Sequence, residues 1–379
     1  MRSFFLAILA IFFVSAPGFA QKYSNEFLSI GVGARAAGMG NSLVAGVDDV
    51  TGGYWNPAGL MGIKSNLQVS FMHSEWFAGI GKFDYFSFAA PINDQKRVLG
   101  FSFIRFGIDN IPNTLSLYED DGTINYSNVS PFSAADYALL FSYAQNMGKN
   151  LRIGGNVKVI HHKIGPFANS WGFGLDLGLQ YHLKSWRFGL LGKDITSTFN
   201  AWNFQFTEEE QRTLQLTDNE VPESSVEITK PQFVLGIAYQ NDFKLGVRKK
   251  AKPGDNRTHR TIGLLIETDF NITTDGKRNV LIGADPISID PAVGMEFNYN
   301  DFIFIRGGIN NFQKSTDLLG NEFTSGQPTG GIGVKIFKVR LDYALTNLGD
   351  QQENFFSHLI SLTVDINFDY IKNAIKNAE

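Results

Sequence analysis

Between Trp171 and Leu183 the chain changes character at every step. Trp171, Phe173, Leu175, Leu177, Leu179, Tyr181 and Leu183 are bulky and apolar, while Gly172, Gly174, Asp176, Gly178, Gln180 and His182 between them are polar or bare. Successive side chains of a β-strand point to opposite faces, so this run forms a ribbon with one greasy side and one polar side. The pattern recurs. Leu151, Ile153, Val157 and Val159 alternate with Arg152, Asn156, Lys158 and His162. Val339, Leu341, Tyr343 and Leu345 alternate with Arg340, Asp342, Ala344 and Thr346, and Ile360, Leu362, Val364, Ile366 and Phe368 with Ser361, Thr363, Asp365 and Asn367.

Soluble sandwiches also alternate, so three further features are needed. The runs reach about ten residues, the length that crosses a bilayer at a tilt. Aromatic residues stand at strand ends, as at Trp171, Tyr181, Tyr299, Tyr343 and Phe368, where interfacial girdles form. Connections alternate between tight (93–96, 146–150, 184–185, 300–301, 337–338) and long (74–82, 109–133, 164–170, 196–230, 272–289, 311–326, 349–355). Beyond the N-terminus no apolar run is long enough for a membrane helix, and in lipid only a helix or an edgeless sheet pairs all its backbone groups. The expected fold is all-β: a transmembrane antiparallel barrel of about fourteen strands. The stretch 241–259 (FKLGVRKKA within it) fits either as an extra strand, which would spoil the even count, or as an extension of its predecessor.

Composition narrows function. The 379 residues include 39 glycines, 34 phenylalanines and no cysteine. Disulfides, thiolate metal sites, cysteine nucleophiles and lipid attachment at a cysteine are thereby excluded. A formal net charge of −4 and the lack of a dense basic patch give nucleic acid no footing. Residues 1–20 read as a secretory signal: Arg2, an apolar stretch from Phe4 to Val14, and Gly18-Phe19-Ala20 before the expected cleavage. An exported chain has little access to ATP- or NAD-dependent chemistry.

The N-terminal stretch GVGARAAGMG (31–40) first suggests a phosphate-binding loop. Dinucleotide and P-loop motifs, however, require a βαβ setting or a Gly-Lys-Ser/Thr ending, and here Gly40-Asn41-Ser42 follows. The longer segment 33–60, GARAAGMGNSLVAGVDDVTGGYWNPAGL, resembles the N-terminal signature of FadL-like outer-membrane barrels, and more closely that of the PorV/PorQ branch. The resemblance rests on Ala36, Ala37, Gly38, Met39 and Gly40, on Asp48 and Asp49, and on Trp55, Asn56, Pro57, Ala58, Gly59 and Leu60. It extends to DPAVGMEFNYNDFIFIRGGIN (290–310) and to a closing hairpin at 339–368.

This likeness implies a hatch over 21–62 folded into a barrel of 63–368, with Asn56-Pro57 fixing the turn into the first strand and 369–379 as a tail. Such a tail departs from the usual aromatic terminus and suits a short periplasmic helix. It further implies a Gram-negative outer-membrane location. Its partners would be lipid and the type IX secretion translocon and cargo of Bacteroidetes. The alternative partner is a hydrophobic small molecule admitted through a FadL-like channel, and a third role is bracing some other surface complex.

No cofactor and no catalytic residue is legible. His161 and His162 point to opposite strand faces and cannot jointly chelate an ion, and EDDGTIN (119–125) lacks calcium-loop spacing. Arg152, Lys158, Asp176, Glu296, Arg306, Arg340, Asp342 and Asp365 stand opposite the apolar rows. They are expected in the lumen, as an ion-paired filling or a polar path, because charge facing hydrocarbon at mid-bilayer costs about 2–4 kcal/mol for Arg or Lys. Trp76, Phe77, Phe132, Trp202, Phe204 and Phe206 are placed in outer loops, either as partner anchors or as a self-packed cover.

Overall fold

A computed structural model describes residues 24–76, 79–119, 121–247, 259–316, 320–347 and 356–368. The signal (1–20), the tail (369–379), Phe77 and the middle of 241–259 lie outside the described residues. Seventeen strands form one sheet. They are β1 (Leu67–Trp76), β2 (Gly81–Ile92), β3 (Arg97–Asn113), β4 (Ser130–Met147), β5 (Leu151–Ile164), β6 (Ala168–Leu183), β7 (Trp186–Lys193), β8 (Thr198–Phe204) and β9 (Ser225–Thr229). There follow β10 (Gln232–Val247), β11 (His259–Thr273), β12 (Ile282–Gly283), β13 (Ser288–Tyr299), β14 (Ile303–Thr316), β15 (Glu322–Ile336), β16 (Val339–Asn347) and β17 (Phe356–Ile366).

Each strand pairs antiparallel with its neighbour, and β1 pairs with β17 from Leu67 opposite Ile366 to Ser74 opposite Leu359. The sheet therefore closes with no free edge. Two wall positions are split. β6 pairs with β7 along its lower half and with β8 along its upper half, so β7 and β8 are one strand interrupted at 194–197. β10 and β9 continue one another in the same way against β7 and β8. With the two-residue β12 set aside, the described residues make a closed antiparallel barrel of fourteen strands. Residues 241–247 extend β10, which keeps the count even.

On β6 the alternation fixes the facing. Trp171, Phe173, Leu177 and Tyr181 are exposed on the outside, while Asp176 and Gln180 are buried in the lumen. The expected tight turns are present, and positive φ at Asn93, Asp94, Lys184, Asn300 and Phe337 marks them. Three expected long loops are short, because β1 reaches Trp76, β5 and β6 are separated only by 165–167, and β14 runs on to Thr316 with β15 beginning at Glu322. Strands β3, β4 and β6, of 17, 18 and 16 residues, exceed the roughly 9–11 that cross a bilayer. A nine-residue helix, α3 (Glu208–Leu216), with a Thr207–Glu210 capping box, fills part of 205–224.

Residues 24–63 lie inside the barrel. They form a 3₁₀ turn (Glu26–Ser29), α1 (Ala34–Gly38), α2 (Gly52–Trp55) and a 3₁₀ helix (Pro57–Gly62), with Val32, Met39, Leu43, Val47 and Leu60 buried against the wall. α1 packs on β14 to β17 and the 3₁₀ helix on β3 to β6, so the hatch bridges opposite sides of the lumen.

Candidate functional site: the locked hatch

Small residues let the hatch backbone touch the wall. A Cβ at Gly154 of β5 would come within 2.5 Å of the Pro57 carbonyl carbon, and one at Gly40 within 2.8 Å of the Ile309 nitrogen. Gly40 also has φ +64, the left-handed region that favours glycine. The hatch then hydrogen-bonds to the wall. The Ala34 N–H donates to Ser361 Oγ at 3.1 Å and the Gly40 N–H to Thr329 Oγ1 at 2.9 Å. Trp55 Nε1 donates to the Val32 carbonyl at 2.8 Å, tying the hatch to itself.

Asn56 is fully buried. Its Nδ2 donates to the carbonyls of Val44 and Leu179, both at 3.0 Å, and its Oδ1 accepts the Ala58 N–H at 3.1 Å. Asn56-Pro57 was expected to make a turn into the first strand. It is instead extended backbone that caps the 3₁₀ helix (Asn56 φ −168, ψ 109), with Pro57 at the first helical position, where its missing N–H is harmless. Ala36, Ala37 and Gly38 form α1, and Ala58 and Gly59 lie in the 3₁₀ helix.

The charges form a closed ring. Arg35 grips Glu296 with Nε and Nη2, each at 3.1 Å, and Glu296 accepts Arg306 Nε at 2.6 Å. Arg306 Nη1 reaches Asp342 at 2.8 Å, Asp342 accepts Arg340 Nε at 2.9 Å, and Arg340 Nη2 reaches Asp49 at 2.7 Å. Asp49 returns to Arg35 at 3.3 Å, and Asp48 adds a 2.9 Å contact to the same guanidinium. Three arginines and three carboxylates thus alternate around a circuit that joins the hatch to β13, β14 and β16. Within the hatch, burial pushes the Asp49 carboxyl up, but the Arg340 and Arg35 guanidiniums outweigh it and hold the group below the usual carboxylate range.

A second cluster sits across the lumen. Lys158 contacts Asp176 at 2.9 Å and Asp194 at 2.5 Å, and Asn156 donates to Asp176 and to the Gly53 carbonyl. Asp365 accepts from Ser65 and Gln68, and Arg152 is half-buried with Nη1 lacking a protein partner. Two acidic residues absent from the sequence-based expectations, Glu267 and Asp269, hold the hatch most directly. The N–H groups of Leu43 and Val44 donate to Asp269, and those of Ala45 and Gly46 to Glu267, at 2.5–3.1 Å. The alternation of Leu264, Ile266, Phe270 and Ile272 around them is the signal that places both in the lumen.

Of the aromatics expected in outer loops, Trp76 lies in β1, Phe132 in β4, and Trp202 and Phe204 in β8, because these strands run farther than the alternation suggested. They pack on neighbours rather than forming an exposed anchor set. Trp76 is the last residue of β1 and is buried, its Nε1 donating to Ser74 at 2.7 Å. It belongs to the strand because β1 is longer than the alternation suggested. Phe132 meets Phe167 edge-on at 5.1 Å, Trp202 stacks on His162 at 5.3 Å, and Phe206 stacks on Phe167. His161 faces outward against Trp171, and His162 faces inward to Asp136 at 2.6 Å.

Above the hatch lies a cavity of 420 Å³. Tyr54, Trp55 and Trp76 contribute rings, but Asn41, Gln232, Asn271, Asn310, Gln327 and Thr329 make much of its wall polar.

A closed, outward-apolar barrel of fourteen strands with a plugged polar lumen is an outer-membrane-type β-barrel. Among solved structures it is similar to the CymD monoaromatic hydrocarbon channel, with 12% identity, a TM-score of 0.51, and cover of 89% of this chain and 98% of that one. It is also similar to the Pseudomonas putida toluene transporter TodX, with 12% identity, a TM-score of 0.51, and cover of 89% and 99%. At that identity the likeness establishes the fold. No family model matches the sequence, and no curated protein does either.

Proposed function

We propose that this chain is a non-catalytic outer-membrane barrel that works by docking rather than conducting. In this reading it is a PorV-like component of a type IX secretion pathway, exported by cleavage near Ala20 and receiving a translocon subunit and secreted cargo. The observation that carries the reading is the hatch: Arg35, Asp48 and Asp49 complete a buried ion circuit with the wall, and passage through the lumen would have to break it. Dismantling such a network leaves charges uncompensated in a low-dielectric interior. The hatch is also the segment whose sequence resembles the PorV/PorQ signature.

A second reading, a gated channel for hydrophobic small molecules, draws support from the likeness to hydrocarbon transporters and from the cavity above the hatch. The amides lining that cavity weigh against it, since a site for hydrocarbon is expected to be mostly apolar. Two assays on the native protein separate the readings. Docking predicts stoichiometric co-purification with a large membrane translocon subunit or secreted proteins, and vesicles containing the barrel that take up labelled toluene no faster than empty ones. Recovery alone together with accelerated uptake would overturn docking in favour of the channel.

A further inference from the structure

Nearly every strand presents apolar side chains outward, but three do not. Among the described residues, Asp, Glu, Lys or Arg facing outward from mid-strand occur only on β2 and β3, and His73 of β1 stands beside them. His73 Nδ1 lies 2.7 Å from Asp84, and Arg105 Nη1 lies 3.4 Å from the other oxygen of that carboxylate. The three are direct cross-strand partners. Their side chains remain 57%, 41% and 27% accessible for His73, Asp84 and Arg105 respectively, so the cluster is open to whatever lies beside the wall.

Depth makes the cluster unusual. Asp84 and Arg105 stand as far above their hairpin ends, Ile92 and Arg97, as Leu139 and Val159 stand above Met147 and Leu151. At ~3.3 Å per residue and a tilt of ~40° that is about 20 Å above the periplasmic turns, within the apolar band. Trp171, at the upper girdle, is farther still from its turn. Arginine can stretch toward headgroups, but an aspartate side chain is too short to do so. Beneath the charges lies a connected aromatic patch, with Phe71–Phe86 at 4.9 Å and Phe88–Phe101 and Phe101–Phe141 at 5.4 Å. Arginine beside clustered aromatics is the composition of protein contact surfaces.

We propose that the β1–β3 sector is the contact face of a homodimer. A second copy of this chain, related by a two-fold axis along the membrane normal between β2 and β3, sets its Arg105 against Asp84 and its Asp84 against Arg105. The pairing is self-complementary because the opposite charges sit on adjacent strands at nearly the same depth, and a two-fold rotation exchanges them. A partner carrying charge of one sign would answer only one of the two, and lipid tails would answer neither, leaving Asp84 and Arg105 only each other and His73. The inference stands apart from the docking and channel readings, since neither changes the expected association.

The test is energy transfer between two differently labelled populations of the full protein in lipid vesicles, diluted with lipid, with heat-modifiable gel mobility reporting the folded barrel. The native chain is expected to dimerise, Asp84→Arg or Arg105→Asp to weaken association at least ten-fold, and the double reversal to restore it. Should a reversal fail to insert, Arg105→Met, which removes the charge and keeps the bulk, is expected to weaken association in the same direction. A native chain that stays monomeric at high protein-to-lipid ratio, association indifferent to these changes, or Asp84 and Arg105 engaged only by a different membrane protein would overturn the proposal.

Discussion

Arg35 is a guanidinium buried inside a membrane barrel, and it is tolerated there because Glu296, Asp48 and Asp49 answer its charge together. Removing one partner of such a network strands the others. Arg35→Met is expected to destabilise the folded barrel by about 3–5 kcal/mol, measured by urea unfolding in vesicles. Asn56 works through hydrogen bonds instead, satisfying two carbonyls and one N–H in a dry site. Asn56→Ala is expected to cost about 1–3 kcal/mol in the same assay, because buried groups lose their partners. Much of this was legible at residue scale: alternation alone put Glu296, Arg306, Arg340 and Asp342 on the lumenal side. What alternation could not supply was which charge meets which, since those contacts join positions up to 291 residues apart (Arg340 to Asp49). Trp76 was misplaced because a strand that continues past the bilayer reads like the start of a loop.

At the scale of elements, the hatch exists because its helices are short and its surface small. Gly154 admits the Pro57–Ala58 backbone against β5. Gly154→Val should displace the 3₁₀ helix from the wall and make residues 24–63 cleavable by protease in intact vesicles, where the native hatch resists. The small residues of 31–40 were legible as a sign of close packing, and the rejection of a nucleotide loop followed from the absent βαβ setting. The split of β7 and β8 was not legible. The stretch from Thr196 read as the opening of a long loop (196–230), because a strand that breaks and resumes carries polar residues at the break just as a loop does. The charged outward cluster of His73, Asp84 and Arg105 was not legible either, although HSEW, KFDYF and FIRFG contain it; a rule that sends charge to the lumen hides its own exceptions.

For the whole molecule, closure converts fourteen individually marginal strands into a membrane-compatible body, since it alone removes the unpaired edges. Strand number and the two-sided ribbon could be read from the sequence, while the identity of the neighbours at the seam required the fold. That seam carries the central claim and can be tested directly, because the chain has no cysteine to confuse the result. Ser70 of β1 and Thr363 of β17 are directly paired, buried in the lumen, with hydroxyl oxygens 3.2 Å apart. In the Ser70→Cys, Thr363→Cys double variant, mild oxidation of the folded protein should form an intramolecular disulfide in nearly every molecule, seen as loss of both free thiols without a change in mass class. Two thiols that stay free and separately reactive in the folded, membrane-inserted protein would mean that the first and last strands are not neighbours, and the closed barrel would be wrong.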